Sequence, residues 1–125
     1  MRVLVIDDEP MVRKIVRKML ERAGHAVIDV ENGRAGLHQL EKATFDLIVT
    51  DIIMPDVEGI EVLMTVRERH PSIAVVAMSG GGHMGNVDFL DVARKLGAAA
   101  TLQKPFTSDS LLEAIDQSLG GQMVA

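Results

Sequence analysis

The chain predicts an α/β domain of the doubly wound kind, a parallel sheet with helices on both faces. Three observations carry that prediction. Short apolar runs recur five times, at residues 3–6, 26–30, 47–49, 73–78 and 98–102, each about the length of a buried strand. The runs are apolar at nearly every position, which is how a strand reads when both faces of its sheet are covered. Between them lie longer stretches with apolar residues three and four apart, so strand and helix alternate five times.

The first run, VLVI, stops on Asp7, Asp8 and Glu9, and Pro10 follows in a position suited to the first turn of a helix. Val12, Ile15, Val16, Met19 and Leu20 then form one stripe, with Arg13, Lys14, Arg17, Lys18 and Arg22 on the remaining face. This spacing predicts an amphipathic, basic helix that Gly24 ends. That basic face suits docking by a helical partner, or is simply solvated. After the second run the helical pattern over 34–42 is weaker, resting on Leu37 and Leu40. The third run leads to Asp51, with Met54 and Pro55 turning the chain, and Ile60, Leu63 and Met64 support the next helix. The fourth run ends in Ser79 and three glycines. Phe89, Leu90, Ala93 and Leu96 mark another helix, closed by Gly97. The fifth run leads to Lys104 and Pro105. Leu111, Leu112, Ile115 and Leu119 mark the last helix, for which Thr107 and Ser110 compete as N-cap, Ser110 with Glu113 fitting a capping box.

Composition narrows the function. At 125 residues the chain fits one domain, expected over 1–120 with a short tail at 121–125. The net charge of −5 argues against direct nucleic-acid binding, which needs a basic surplus. No apolar run approaches the roughly 20 residues of a membrane span, and the start lacks a signal-peptide pattern, so a cytoplasmic protein without membrane insertion is expected. With no cysteine there is no thiolate chemistry, and with aromatic residues at 2% the core must be aliphatic.

In doubly wound sheets, ligands bind beyond the carboxyl ends of the strands. Those ends carry Asp7 and Asp8, Asp51, Ser79 with Gly80, and Lys104. Singly each is weak: one acid suffices to cap a helix, Asp51 and Ser79 suit turns, and Lys104 suits solvent. Gly80, Gly81 and Gly82 are no phosphate-binding P-loop, because no Lys-Ser or Lys-Thr follows. Together they form a set. Two carboxylates about 4 Å apart at an effective dielectric near 20 oppose one another by roughly 4 kcal/mol, so clustered acids gain nothing for folding until a cation arrives. Hard oxygen donors such as Asp8 and Asp51 suit Mg²⁺, with Mn²⁺ as an alternative. A carboxylate beside such a cation and a lysine can accept a phosphoryl group as an aspartyl phosphate.

The stretches VLVIDDEP, DLIVTDIIMPDVEGIEVL, VVAMSGGG and LGAAATLQKPF, spanning nearly the whole chain, resemble the receiver domain of two-component response regulators, of the single-domain chemotaxis type. The resemblance implies a flavodoxin-like fold with strand order 2-1-3-4-5. It implies Asp51 as phosphoacceptor, Asp8 as direct Mg²⁺ ligand, Asp7 acting mainly through water, and the Ile53 carbonyl as a further ligand. Ser79, the Gly80 amide and Lys104 would each meet a phosphoryl oxygen, and the Lys104–Pro105 peptide would be cis. The implied donor is the phosphohistidine of a sensor histidine kinase or histidine phosphotransfer protein. The implied output is a shift in a partner-binding face formed by the fourth helix, fifth strand and fifth helix. Such a domain assists its own phosphorylation and dephosphorylation and is otherwise no enzyme. Three departures stand out: Thr101 replaces an aromatic three residues before the lysine, three glycines predict a loop over 80–86 that orders with phosphate, and neither Ile53 nor Gly81 offers a polar side chain to orient a hydrolytic water. The chain reads as a stand-alone receiver without an output domain. The alternatives are a receiver fragment of a larger transcription factor or enzyme, and, further off, a Mg²⁺-dependent phosphohydrolase working through an aspartyl phosphate.

Overall fold

A computed structural model of the protein describes residues 1–52, 58–80, 83–84 and 87–119. The elements run β1 (Arg2–Ile6), α1 (Pro10–Arg22), β2 (Ala26–Val30), α2 (Gly33–Lys42), β3 (Leu47–Asp51), α3 (Glu58–Arg69), β4 (Ala74–Ser79), β5 (His83–Met84), β6 (Val87–Asp88), α4 (Phe89–Lys95), β7 (Ala100–Gln103) and α5 (Ser108–Ser118). The main sheet is parallel throughout, ordered β2-β1-β3-β4-β7, which is the 2-1-3-4-5 order of a flavodoxin-like receiver.

Alternation along the strands sorts the core into two halves. Leu4, Ile6, Ile48, Val75 and Ala77 face one side, packed by Leu40 of α2, Val62, Leu63 and Val66 of α3, and Leu90 and Ala93 of α4. Val3, Val5, Val49, Val76 and Met78 face the other, under Val16 and Leu20 of α1 and Leu111, Ala114 and Ile115 of α5. Each Val, Leu, Ile or Met side chain among these, when wholly removed from water, contributes about 1.5–3 kcal/mol. The continuous apolar runs thus have the cause assigned to them: both faces are covered.

Several boundaries shift from the sequence expectation. β3 runs on through Thr50 to Asp51, because both stay in the ladder opposite Ala77 and Met78. Ile73 lies just before β4 and Ala98 before β7; both are buried without being strand residues. The weak helix over 34–42 gains its start from Asn32, whose Oδ1 accepts the Ala35 N–H at 2.8 Å. Thr107 caps α5, accepting the Ser110 N–H at 3.1 Å, so Ser110 sits inside the helix and the capping box is not used. Gly24 and Gly97 take φ of +94° and +109°, closing α1 and α4 as expected. The two-residue antiparallel pair β5–β6 had no sequence signal. Ile53, Met54 and Pro55, residues 81–82 and 85–86, and residues 120–125, which take in the tail expected at 121–125, lie outside the described residues, as do the expectations placed on them. Among the described residues no helix is long and apolar enough to cross a membrane.

Candidate functional site

The strand order reverses between β1 and β3, and the ends of these neighbours bring Asp7 and Asp51 together. Asp7 extends the ladder one residue past β1, its N–H donating to the Val30 carbonyl at 3.2 Å. Its side chain is fully buried, and Oδ1 accepts the Glu9 N–H at 2.9 Å. Asp8 and Glu9 are exposed, so they meet solvent while Asp7 does not. Glu9 occupies the N-cap of α1 but makes no side-chain bond to the helix, which disposes of capping as the purpose of that carboxylate.

Asp51 ends β3 and is 3% exposed. Its carbonyl accepts the Thr50 hydroxyl at 3.0 Å. Lys104 follows β7, and its N–H donates to the Ser79 carbonyl at 2.8 Å, joining the ends of β4 and β7. The Lys104–Pro105 peptide is cis. From there the lysine side chain crosses the sheet edge: Nζ donates to Asp7 Oδ2 at 2.7 Å and to Asp51 Oδ2 at 2.9 Å, and stands 3.7 Å from Glu9 Oε1. Burial alone would lower the Lys104 pKa, but the hydrogen bonds to Asp7 and Asp51 outweigh it and hold the ammonium above its ordinary value. Ser79 is buried at the same edge, and Gly80 lies against the Lys104 stem.

One ammonium does not balance this edge. Carboxylate oxygens of Asp7, Asp8, Glu9 and Asp51 all lie within 4.8 Å of one another. Among the described residues four acids gather around the Lys104 ammonium, and the Arg13 guanidinium beside them donates to the Asp7 carbonyl oxygen, so the cluster keeps a surplus of negative charge. An all-oxygen donor set at that spacing, with two members open to solvent, fits a hard divalent cation. The structure therefore brings Asp7, Asp8, Asp51, Ser79, Gly80 and Lys104 to one edge; the Ile53 carbonyl lies outside the described residues. Beside them an apolar groove of about 390 Å³ opens, lined in part by Glu9, Val12, Ile15, Gly80, Lys104 and Phe106.

Sequence reasoning missed Gly59. A Cβ there would overlap the Asp51 carbonyl oxygen and the Ile52 backbone, so only glycine lets the start of α3 close on the end of β3. Its signal was a glycine at the front of a helical pattern, too common to stand out. Thr101 is half-buried on β7 opposite Ala77, where the expected aromatic is absent.

Residues 3–116 match the family described as the response regulator receiver domain. The chain is 29% identical to chemotaxis protein CheY of Listeria monocytogenes, covering 94% of this chain and 98% of that protein. It is 37% identical to transcriptional regulatory protein FixJ of Azorhizobium caulinodans, over 93% of this chain and 54% of that protein, and it spans only 25% of response regulator protein FleR of Pseudomonas aeruginosa, at 31% identity. Among solved structures, a response regulator receiver domain protein from Clostridium thermocellum superposes with a TM-score of 0.85 at 29% identity, covering 98% of this chain and 97% of that one.

Proposed function

Given that the chain belongs to the response regulator receiver domain family, a signalling module of two-component systems, we propose that it is a phosphoryl-controlled switch whose acceptor is Asp51. The observation that carries this reading is Lys104 Nζ held 2.9 Å from Asp51 Oδ2 inside an acid cluster that one lysine cannot neutralise. An Asp51 oxygen attacks the phosphorus of a phosphohistidine on a sensor histidine kinase or phosphotransfer protein. The P–O bond forms as the P–N bond breaks, and the electron pair returns to the donor imidazole. Asp7 and Asp8, with Asp51 and the Ile53 carbonyl, would hold Mg²⁺, which supplies charge neutralisation for the incoming phosphoryl oxygens.

The chain's own groups do the rest. Lys104 moves from sharing two carboxylates to donating to one phosphoryl oxygen, and the Ser79 hydroxyl and Gly80 amide serve the others. Drawing Ser79 inward then shifts the population of the α4–β7–α5 face that a downstream protein reads. With Thr101 in place of an aromatic, that shift runs through the backbone between β4 and α4 instead of a ring rotation. Ile53 and Gly81 cannot orient a water, so the phosphoryl group leaves by slow, unaided hydrolysis. The groove beside the site, with Val12 and Ile15 on its α1 wall, is where the kinase domain docks. The domain so defined spans 1–120, alone as in relatives of similar length or as the receiver of a longer regulator.

Incubation with acetyl phosphate and Mg²⁺, followed by intact mass measurement, tests the reading. The wild type should gain one phosphoryl group only when Mg²⁺ is present, and Asp51→Asn should gain none. A wild type that stays unmodified, or an Asp51→Asn protein that is modified as readily, would overturn it.

A further inference from the structure

Arg13 belongs, by spacing, to the outward basic face of α1, yet its side chain is only 19% exposed. The helix begins at Pro10, so Arg13 stands one turn in, and helical side chains lean back toward the N-terminus. Its guanidinium accordingly reaches the end of the sheet. Nη1 donates to the Asp7 carbonyl oxygen at 2.8 Å, and Nε lies 3.6 Å from Asp29 Oδ1 on β2. Arg17, one turn later, takes the other Asp29 oxygen at 2.9 Å and pairs also with Glu21. Of the five cations on this face, Lys14, Lys18 and Arg22 remain exposed.

The Asp7 carbonyl belongs to the planar peptide that joins Asp7 to Asp8. Holding its oxygen therefore fixes the direction of the Asp8 N–H and the position of the Asp8 Cα. The Asp7 carboxylate is already held by the Glu9 N–H and by Lys104. Asp8 is exposed and lies among like charges, which push the β1–α1 turn toward a more open arrangement. We propose that Arg13 is a positioning residue for the cation site: clamped between the Asp7 carbonyl and Asp29, it holds the peptide between Asp7 and Asp8 so that the Asp8 carboxylate stays in register with Asp7 and Asp51. This rests on the reading above that these acids take a divalent cation.

Isothermal calorimetry of Mg²⁺ binding to the full chain, paired with thermal melts, tests it. Removing an outer-shell partner typically costs 10–100-fold in metal affinity; because Arg13 acts through the backbone, Arg13→Ala should weaken Mg²⁺ binding by about tenfold, at the lower end of that range. Arg17→Ala, which loses its ion pairs to Asp29 and Glu21 but leaves the Asp7 carbonyl held, is the control for a merely structural role and should bind within about twofold of wild type on the same scale. Asp29→Asn loosens the clamp at one end and should fall between them, which keeps the test decisive if Arg13→Ala does not fold. Arg13→Ala binding as tightly as wild type, Asp29→Asn doing so in its place, or Arg17→Ala weakening Mg²⁺ as much as Arg13→Ala would overturn the inference while leaving the site reading intact. A wild type that takes up no Mg²⁺ would overturn the cation reading itself, and this inference with it.

Discussion

The two edges of the sheet are built from the same strands and treat charge in opposite ways. At the amino edge the contacts pair complementary groups from neighbouring segments. The Arg2 N–H donates to Asp46 Oδ2 at 2.8 Å, the Asp46 N–H returns a bond to the Arg2 carbonyl at 2.9 Å, and the Arg2 guanidinium lies 5.5 Å from the centre of the Phe45 ring. The terminal amine rests 3.3 Å from His25 Nδ1. At the carboxyl edge three acids, Asp7, Glu9 and Asp51, share one lysine, and Asp8 lies in the same cluster. Among the described residues the contacts at the first edge pair complementary groups, whereas the second keeps a surplus of negative charge that a bound cation would relieve. Stability given up at one place on an otherwise consistent fold is the mark of a functional site.

The largest way to break the contrast is to disturb the carboxyl edge mechanically. Gly59→Ala drives a methyl into the Asp51–Ile52 backbone, with an expected cost of about 3 kcal/mol in urea denaturation and slowed phosphorylation of what remains folded. Unchanged stability would mean that α3 can draw back from β3 at no cost. Next in size is the charge itself. Mg²⁺ at a hundred times its dissociation constant should add about 2.7 kcal/mol to the unfolding free energy. Asp8→Asn should remove most of that gain while raising metal-free stability by about 1 kcal/mol, since one repelling charge is gone. A variant as Mg²⁺-responsive as wild type would remove Asp8 from the ligand set.

The smallest effects come from pH, and they separate the edges. His25, at the amino edge, has its pKa lowered, first by burial and then by the neighbouring terminal amine. The folded state therefore favours its neutral form: that contribution is complete above the unfolded value of about 6.5 and is lost as pH falls through the lower folded value. Lys104, at the carboxyl edge, is held above its ordinary value, so its contribution is complete below pH about 10.4 and is lost as pH rises through the folded value. Denaturation across pH should show His25→Gln flattening the acid limb while leaving the alkaline limb unchanged, and Lys104→Met flattening the alkaline limb. An alkaline limb altered by His25→Gln would mean that the edges are coupled through the sheet.

Much of this was legible in the residues, and two of the three failures share a cause. The five strands announced themselves because burial on both faces leaves a continuous apolar run that few other structures produce. Asp51, Ser79 and Lys104 were visible because each sits where such a run stops. Asn32 was passed over because the pattern of α2 is weak, and its capping role depends on a backbone turn rather than on periodicity. Arg13 read as a surface cation because the partner that turns it inward, Asp29, lies 16 residues away on another element. Gly59 read as an ordinary helix-front glycine for the same reason: the backbone it must clear belongs to β3.

The sequence by itself determined the alternation of elements, the two-faced burial and which residue types stand at the strand ends, since those depend on local periodicity and on side-chain transfer from water. Only the tertiary structure decided that Lys104 spans Asp7 and Asp51, that Asp7 is buried while Asp8 meets solvent, and that Arg13 is withdrawn from the basic face of α1. Those outcomes are set by distances of a few ångströms between groups far apart in the chain. Such distances exist only once the crossovers have brought the strand ends to one edge.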